Sequence, residues 1–326
     1  MNERYIEILQ QYDLELLSAR KGRGAWVCET DHGLKLVKEY RGTVKRLEFE
    51  DEVLRFAMEH GGLLSDRYVR NKEDGLLSIG EDGSRYVVKD WFPDRECSLK
   101  DTREVLQAVG KIAYLHKILR DAPFKEEWSM GSTLGESLAG EMERHNQELV
   151  RARNFVRSKR KKTSFELRVI AGFQGFYEQA EQAAEGMSLI FTEEKNQALF
   201  LCHGDLDQHH LLMLGGDIAV IEFNRMHMGN QMADLYHFMR KVMEKHDWNC
   251  GLGMSVLDVY QKALPLSQTE RECLYYLFLY PEKYWKQINF YYNANKAWIP
   301  ERNVEKLEKL EKQEENRRKF LHQIKP

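Results

Sequence analysis

From residue 14 the chain alternates apolar and polar positions in three short runs, LELLSAR, AWVCET and LKLVKEY. A Lys21-Gly22-Arg23-Gly24 turn and an Asp31-His32-Gly33 turn separate them. Period-two alternation broken by glycine turns predicts three antiparallel strands in a meander, and the twelve residues before it read as a short helix. Residues 43–60 change to helical spacing, with Val44, Leu47, Val53, Leu54 and Ala57 on related faces, and His60-Gly61-Gly62 supplies the stop. Two more strands are expected in LLSIGEDG and SRYVVKDWF, the second running into Pro93. From Thr102 onward the spacing is mainly helical. Amphipathic helices are expected to near Arg120, over 136–162 and over 165–187. Others follow through the aromatic-rich RECLYYLFLYPEKYWKQINFYY, to a last surface helix with Leu307 and Leu310 on one face.

One segment interrupts the helical pattern. Residues 201–223, LCHGDLDQHHLLMLGGDIAVIEF, place His203-Gly204-Asp205 at the end of a short apolar strand. An apolar hairpin with a Gly215-Gly216-Asp217 turn follows and ends at Glu222-Phe223. This is the layout of a phosphotransferase catalytic loop. In kinases an aspartate takes the proton from the attacking hydroxyl, and an asparagine and a later aspartate hold the metal ions. Asp205 is placed for the first role, with His203 buried beside it. His210 and Glu222 stand where the metal-holding asparagine and aspartate would be. Glu222 moves a carboxylate outward by one methylene, roughly 1.5 Å, and His210 offers an imidazole nitrogen where magnesium prefers oxygen. Weak or manganese-dependent turnover is the most that such a pair predicts. A zinc site finds no support, because the histidine spacing fits neither HExxH nor a Cys/His finger.

Phosphates need a cation. Strand alternation puts Leu34, Leu36 and Lys38 on one face, so Lys38 is the candidate, with Glu50 to steady it and Glu48 and Glu52 as rivals. The Lys21–Gly24 turn has two glycines but no full GxGxxG.

Composition narrows the class. The 326 residues are 42% hydrophobic and 11% aromatic, enough for a large folded core in two lobes. A formal charge of -3 argues against a nucleic-acid or anionic-membrane partner. The N-terminus is polar and acidic, so no signal peptide is expected, and no apolar run reaches the ~18 residues of a membrane span. Five scattered cysteines without a CxxC suit a reducing compartment. A basic run from Arg151 to Lys162 reads first as a solvated helix end and second as a landing patch for an acidic partner. The tryptophans Trp91, Trp285 and Trp298 are expected in the core.

These features together resemble the CotS-type spore-coat proteins, a branch of the aminoglycoside/choline-kinase-like phosphotransferases. The residues that carry the resemblance are LKLVKEY with Lys38, YVVKDWFPDREC (86–97), HGD followed by His209, IEF with Asp234-Leu235, and the tail PEKYWKQINFYYNANKAW. It spans about residues 12 to 320. It implies an α+β, bilobal protein-kinase-like fold, with a small antiparallel-sheet N-lobe over 1–92 and a mainly helical C-lobe over 93–326. It implies that Lys38 holds nucleotide phosphates, that Asp205 is the base, and that residues 88–92, with Val88, Asp90 and Trp91, form the nucleotide hinge. ATP with magnesium or manganese is the implied cofactor set. Other spore-coat proteins are the implied partners, with a small-molecule or protein acceptor if catalysis survives. The implied location is the coat, after synthesis in the mother-cell cytoplasm. Two readings follow: a coat component with a degenerate site, or an active ATP-dependent phosphotransferase. A polyanion-binding module using the basic run is a third.

Overall fold

The alternation at the start of the chain becomes a six-stranded antiparallel sheet in the computed structural model, which describes residues 4–93, 95–192, 199–293 and 301–326. Helix α1 (Arg4–Leu9) precedes β1 (Leu16–Gly22), β2 (Ala25–Thr30) and β3 (Gly33–Glu39). Helix α2 (Val44–Gly61) follows, then β4 (Tyr68–Val69), β5 (Ser78–Ile79) and β6 (Arg85–Asp90). The strands run in the order β1-β2-β3-β6-β4, with β5 also paired to β6. Thr43 caps α2 by accepting from the Arg46 amide, and Gly62 ends it in the left-handed conformation at φ 61°.

Alternation sorts the sheet's side chains onto two faces. On one face Cys28, Val37 and Val88 pack with Ile8, Leu9 and Tyr12 from the N-terminal helix and the turn after it. On the other, Val27 and Leu36 pack with Trp91 and with Leu212, Ala219 and Ile221. The last three belong to the segment after α3 (Thr102–Asp121), α4 (Leu138–Ser158) and α5 (Ser164–Thr192). That segment holds β7 (Phe200–Cys202), the hairpin β8 (Leu211–Met213) and β9 (Ile218–Val220), and β10 (His227–Gly229). Backbone bonds fasten the hairpin: Cys97 donates to Leu211 at 2.9 Å, Met213 to Arg95 at 2.8 Å and Val220 to Leu64 at 2.9 Å.

The chain groups into two compact units. Met1–Leu134 and Leu201–Met228 form the first, Gly135–Phe200 and Gly229–Pro326 the second. The second contains α4, α5, α6 (Met232–Lys245), α7 (Cys250–Ala263), α8 (Gln268–Leu279), α9 (Glu282–Asn293) and α10 (Glu301–Ile324). Ser267 and Glu270 form a reciprocal capping box at the start of α8. Leu307 of α10 is buried, as its spacing predicts. The basic run ends α4, where Lys159 pairs with Glu166 at 2.5 Å. No described helix is long and apolar enough to cross a membrane.

Candidate active site

The first unit brings Lys38, Asp205, His210 and Glu222 into one region by three local devices. The first is the turn at residue 204. Gly204 sits at φ 83°, and a Cβ there would lie 2.2 Å from the Arg225 carbonyl oxygen, so only glycine lets the chain pass. Beside it His203 is fully buried. Its Nδ1 accepts from the Asp205 amide at 3.3 Å and its Nε2 donates to the Ile221 carbonyl at 2.9 Å. Those two bonds fix the ring's tautomer and tie the loop to the far strand of the hairpin. The Asp205 carboxylate is 44% exposed and 3.6 Å from the Arg225 guanidinium.

The second device is backbone strain at Glu222. This residue adopts φ 64°, ψ 55°, an uncommon conformation for a side chain of its size. Asp66 holds it there: Oδ1 accepts from the Glu222 amide at 3.1 Å while Oδ2 pairs with Lys89 at 2.8 Å. Both Asp66 and Lys89 are buried.

The third device is a charged brace on α2. Glu50 accepts from Arg46 Nε at 2.6 Å and from the Tyr68 hydroxyl at 2.5 Å. Arg46 then donates to the carbonyls of Ser132 at 3.0 Å and Asn224 at 3.1 Å. Glu50 is therefore spent on Arg46 and Tyr68, and the carboxylate beside Lys38 is Glu222, at 3.8 Å. The rivals do not take Glu50's place: Glu48 is exposed and Glu52 pairs with Lys125.

Glu222 is flanked by two nitrogens, Lys38 on one side and His210 Nε2 at 3.9 Å on the other. His210 Nδ1 lies 3.2 Å from Asp207. Burial by itself would push the His210 pKa down, but Asp207, Asp205 and Glu222 together raise it. Magnesium wants oxygen ligands in near-octahedral array. Glu222 thus faces the Lys38 ammonium at 3.8 Å and the His210 ring at 3.9 Å, where a magnesium ion would call for oxygen ligands. Lys38, Lys89, Arg46, Glu50, Asp66 and Glu222 line a cavity of about 270 Å³.

The expected hinge residues divide between the faces of the sheet. Val88 packs toward α1, and Asp90 pairs with Lys35 and Arg67, both at 3.1 Å. Trp91 joins the site-facing cluster, with Phe92 packed against it. Val27, Leu36, Trp91, Leu212, Ala219 and Ile221 are each 0–5% exposed, so this stretch is packed protein. Over it lies Arg23 from the β1–β2 turn, 5.8 Å from the Trp91 ring. Arg23 donates to the His209 carbonyl at 2.9 Å and to Glu96 at 2.9 Å, and Glu96 also bonds His209 Nδ1 at 2.6 Å. Of the other tryptophans, Trp285 stacks on His145 and donates to Glu148, while Trp298 falls outside the described residues.

Sequence reasoning did not find Arg46, Asp66, Lys89, Asp207 or the Arg23–Glu96 contact. Lys89 had a usable signal, since it stands opposite Leu36 across β3 and β6 and so shares Lys38's face. Asp66 had none, because it lies in a connection without periodicity.

A small antiparallel sheet, an HGD turn and a hairpin ending at an acidic residue define a kinase-like phosphotransferase framework. Residues 7–324 match the family model described as "Spore coat putative kinase YutH", and the chain belongs to that family. It is similar to "Spore coat protein S" of Bacillus subtilis (strain 168), with 22% identity over 342 aligned positions covering 98% of this chain and 93% of that protein. Among solved structures it resembles the aminoglycoside phosphotransferase of Alicyclobacillus acidocaldarius, with TM-score 0.83, 16% identity, and 97% and 94% of the two chains covered. It also resembles a spectinomycin phosphotransferase in its AMP-bound complex, with TM-score 0.68, 10% identity, and 94% of each chain covered. These likenesses establish the α+β fold.

Proposed function

We propose that this protein serves the spore coat as a kinase-fold assembly component whose phosphotransfer centre is weakened. Coat proteins are its partners, and it is made in the mother-cell cytoplasm before incorporation. The observation that carries the reading is the setting of Glu222, held between Lys38 at 3.8 Å and His210 at 3.9 Å. Positive charge from the chain stands where a phosphotransferase needs room for a metal ion. The packing of Trp91 with Val27, Leu36 and Leu212, with Arg23 5.8 Å from the Trp91 ring, adds support, because these side chains fill the sheet face against which a nucleotide base would lie.

The test is thermal stabilisation by ATP with magnesium and with manganese, repeated on the His210→Asn/Glu222→Asp double variant. The expected result is no metal-dependent stabilisation of the unmodified protein and a clear gain in the double variant. Turnover or metal-dependent ATP binding by the unmodified protein would overturn the reading. Such an outcome would favour an active ATP-dependent phosphotransferase acting on a small hydroxylated or amino compound or on a coat-protein side chain. The exposed Asp205 carboxylate, bonded to neither Lys38 nor Glu222, is the observation on that side.

A further inference from the structure

The helical unit holds a second, partly open cavity, of about 210 Å³, that the phosphotransferase reading does not use. It is well beyond the small voids left between packed helices. Its floor is aromatic, formed by Phe176 of α5, Tyr236 of α6, Trp248, and Phe278 of α8. Phe278 meets both Tyr236 and Trp248 edge to face, with ring centroids 5.1 and 6.1 Å apart. A flat apolar ring suits such a floor.

The charges around the floor are unevenly satisfied. Each carboxylate on the wall is already engaged. Glu244 pairs with Arg240 at 2.5 Å and Lys283 at 2.9 Å. Glu282 pairs with Arg240 at 3.2 Å and with Lys286. Glu314 pairs with Arg317 at 3.0 Å and Arg318 at 3.1 Å. Two cations on the wall are left over. Lys306 and Lys309 of α10 pair with no carboxylate among the described residues. The helix positions three and four residues from Lys306 are Arg302, Asn303, Lys309 and Leu310, none of them acidic. The surplus among the lining charges is positive, since the three lining carboxylates are occupied; Glu305, four residues before Lys309, is exposed and makes no ion pair among the described residues.

We propose that this cavity is a binding site for a small aromatic carboxylate, its ring on the Phe176, Tyr236, Trp248 and Phe278 floor and its carboxylate at Lys306 and Lys309. The pairing of an apolar floor with an unpaired cationic rim selects acid over amide and rejects amines.

The test is calorimetric titration of the full chain with naphthoate, against naphthamide and naphthylmethylamine as neutral and cationic analogues of similar shape. Naphthoate is expected to bind at least about tenfold more tightly than the amide, and the amine not at all. The surface variant Lys306→Gln/Lys309→Gln should reduce the acid to the amide's affinity. Leu310→Trp, which enlarges a lining side chain, should abolish acid binding with the circular dichroism unchanged. Equal binding of acid and amide, no saturable binding of the acid, or full acid affinity in the double-glutamine variant would each overturn the proposal. The His210→Asn/Glu222→Asp variant should bind naphthoate normally, which separates this site from the phosphotransfer region.

Discussion

Two regions of this protein hold clusters of buried or half-buried charge, and they hold them differently. Around Arg240 in the helical unit the ion pairs are tight, with Arg240–Glu244 at 2.5 Å, Lys283–Glu244 at 2.9 Å and Arg240–Glu282 at 3.2 Å. Burial would raise the Glu282 carboxyl, yet Arg240 and Lys286 hold it well below the usual carboxylate range. In the sheet-bearing unit the buried Asp66–Lys89 and Arg46–Glu50 pairs are tight at 2.8 and 2.6 Å, but the ion pairs of the candidate site itself are loose, 3.8 Å from Glu222 to Lys38, 3.9 Å to His210, and 3.6 Å between Asp205 and Arg225. The same residue types serve a structural network in one place and stand apart in the other. Tight pairs lock helices that would otherwise bury lone charges. Loose pairs leave side chains free to turn toward something else, as a reaction centre requires.

The contrast is broken most directly at Arg240. Arg240→Met keeps much of the volume but leaves Glu244 and Glu282 with exposed lysines only, and should cost about 3 to 5 kcal/mol in urea unfolding. A cost below ~1 kcal/mol would remove the distinction between the two regions.

Next in size is a pair of histidines with opposite pH behaviour. His145 stacks on Trp285, and burial, helped by Arg144, lowers its pKa from 6.5 to about 4. The unfolded chain takes up that proton first, so the associated stability is present above pH ~6.5 and lost as pH falls toward 4, by at most ~3 kcal/mol. His210 is shifted upward. Its contribution is complete below the unfolded value and is lost as pH rises through the folded one. Unfolding midpoints measured across pH should lose the acid-side fall in His145→Phe and the alkaline-side fall in His210→Asn. An unchanged acid limb in His145→Phe would remove His145 as its source.

The smallest effect belongs to the loose pair. With Lys38 37% and Glu222 20% exposed, Lys38→Met should change stability by less than ~1 kcal/mol. A loss comparable to that of Arg240→Met would mean Lys38 is structural.

Much of this arrangement could be read along the chain. Thr43 and Gly62 mark the two ends of α2 through local hydrogen bonding and a left-handed backbone. Alternation in β3 put Leu36 and Lys38 on one face, and both face the same side as Lys89 in the folded sheet. The HGD turn and the hairpin stood out because strand and turn signals interrupt a helical pattern. Strand β4 was not foreseen, since two residues carry no period. The pairing of Glu50 was not foreseen either. Spacing could bring a carboxylate near Lys38, but it could not say that Arg46, four residues before Glu50 on the same helix, would claim it.

Local rules therefore sufficed for the helix ends and the strand faces, because each depends on neighbours within a few residues. The partners of buried charges were a different matter. Asp66 with the Glu222 amide, Arg23 with His209, and Arg46 with Asn224 join positions 156, 186 and 178 residues apart. Such pairings follow from which groups burial forces to find a counter-charge or a hydrogen bond, and that is settled when the whole unit packs.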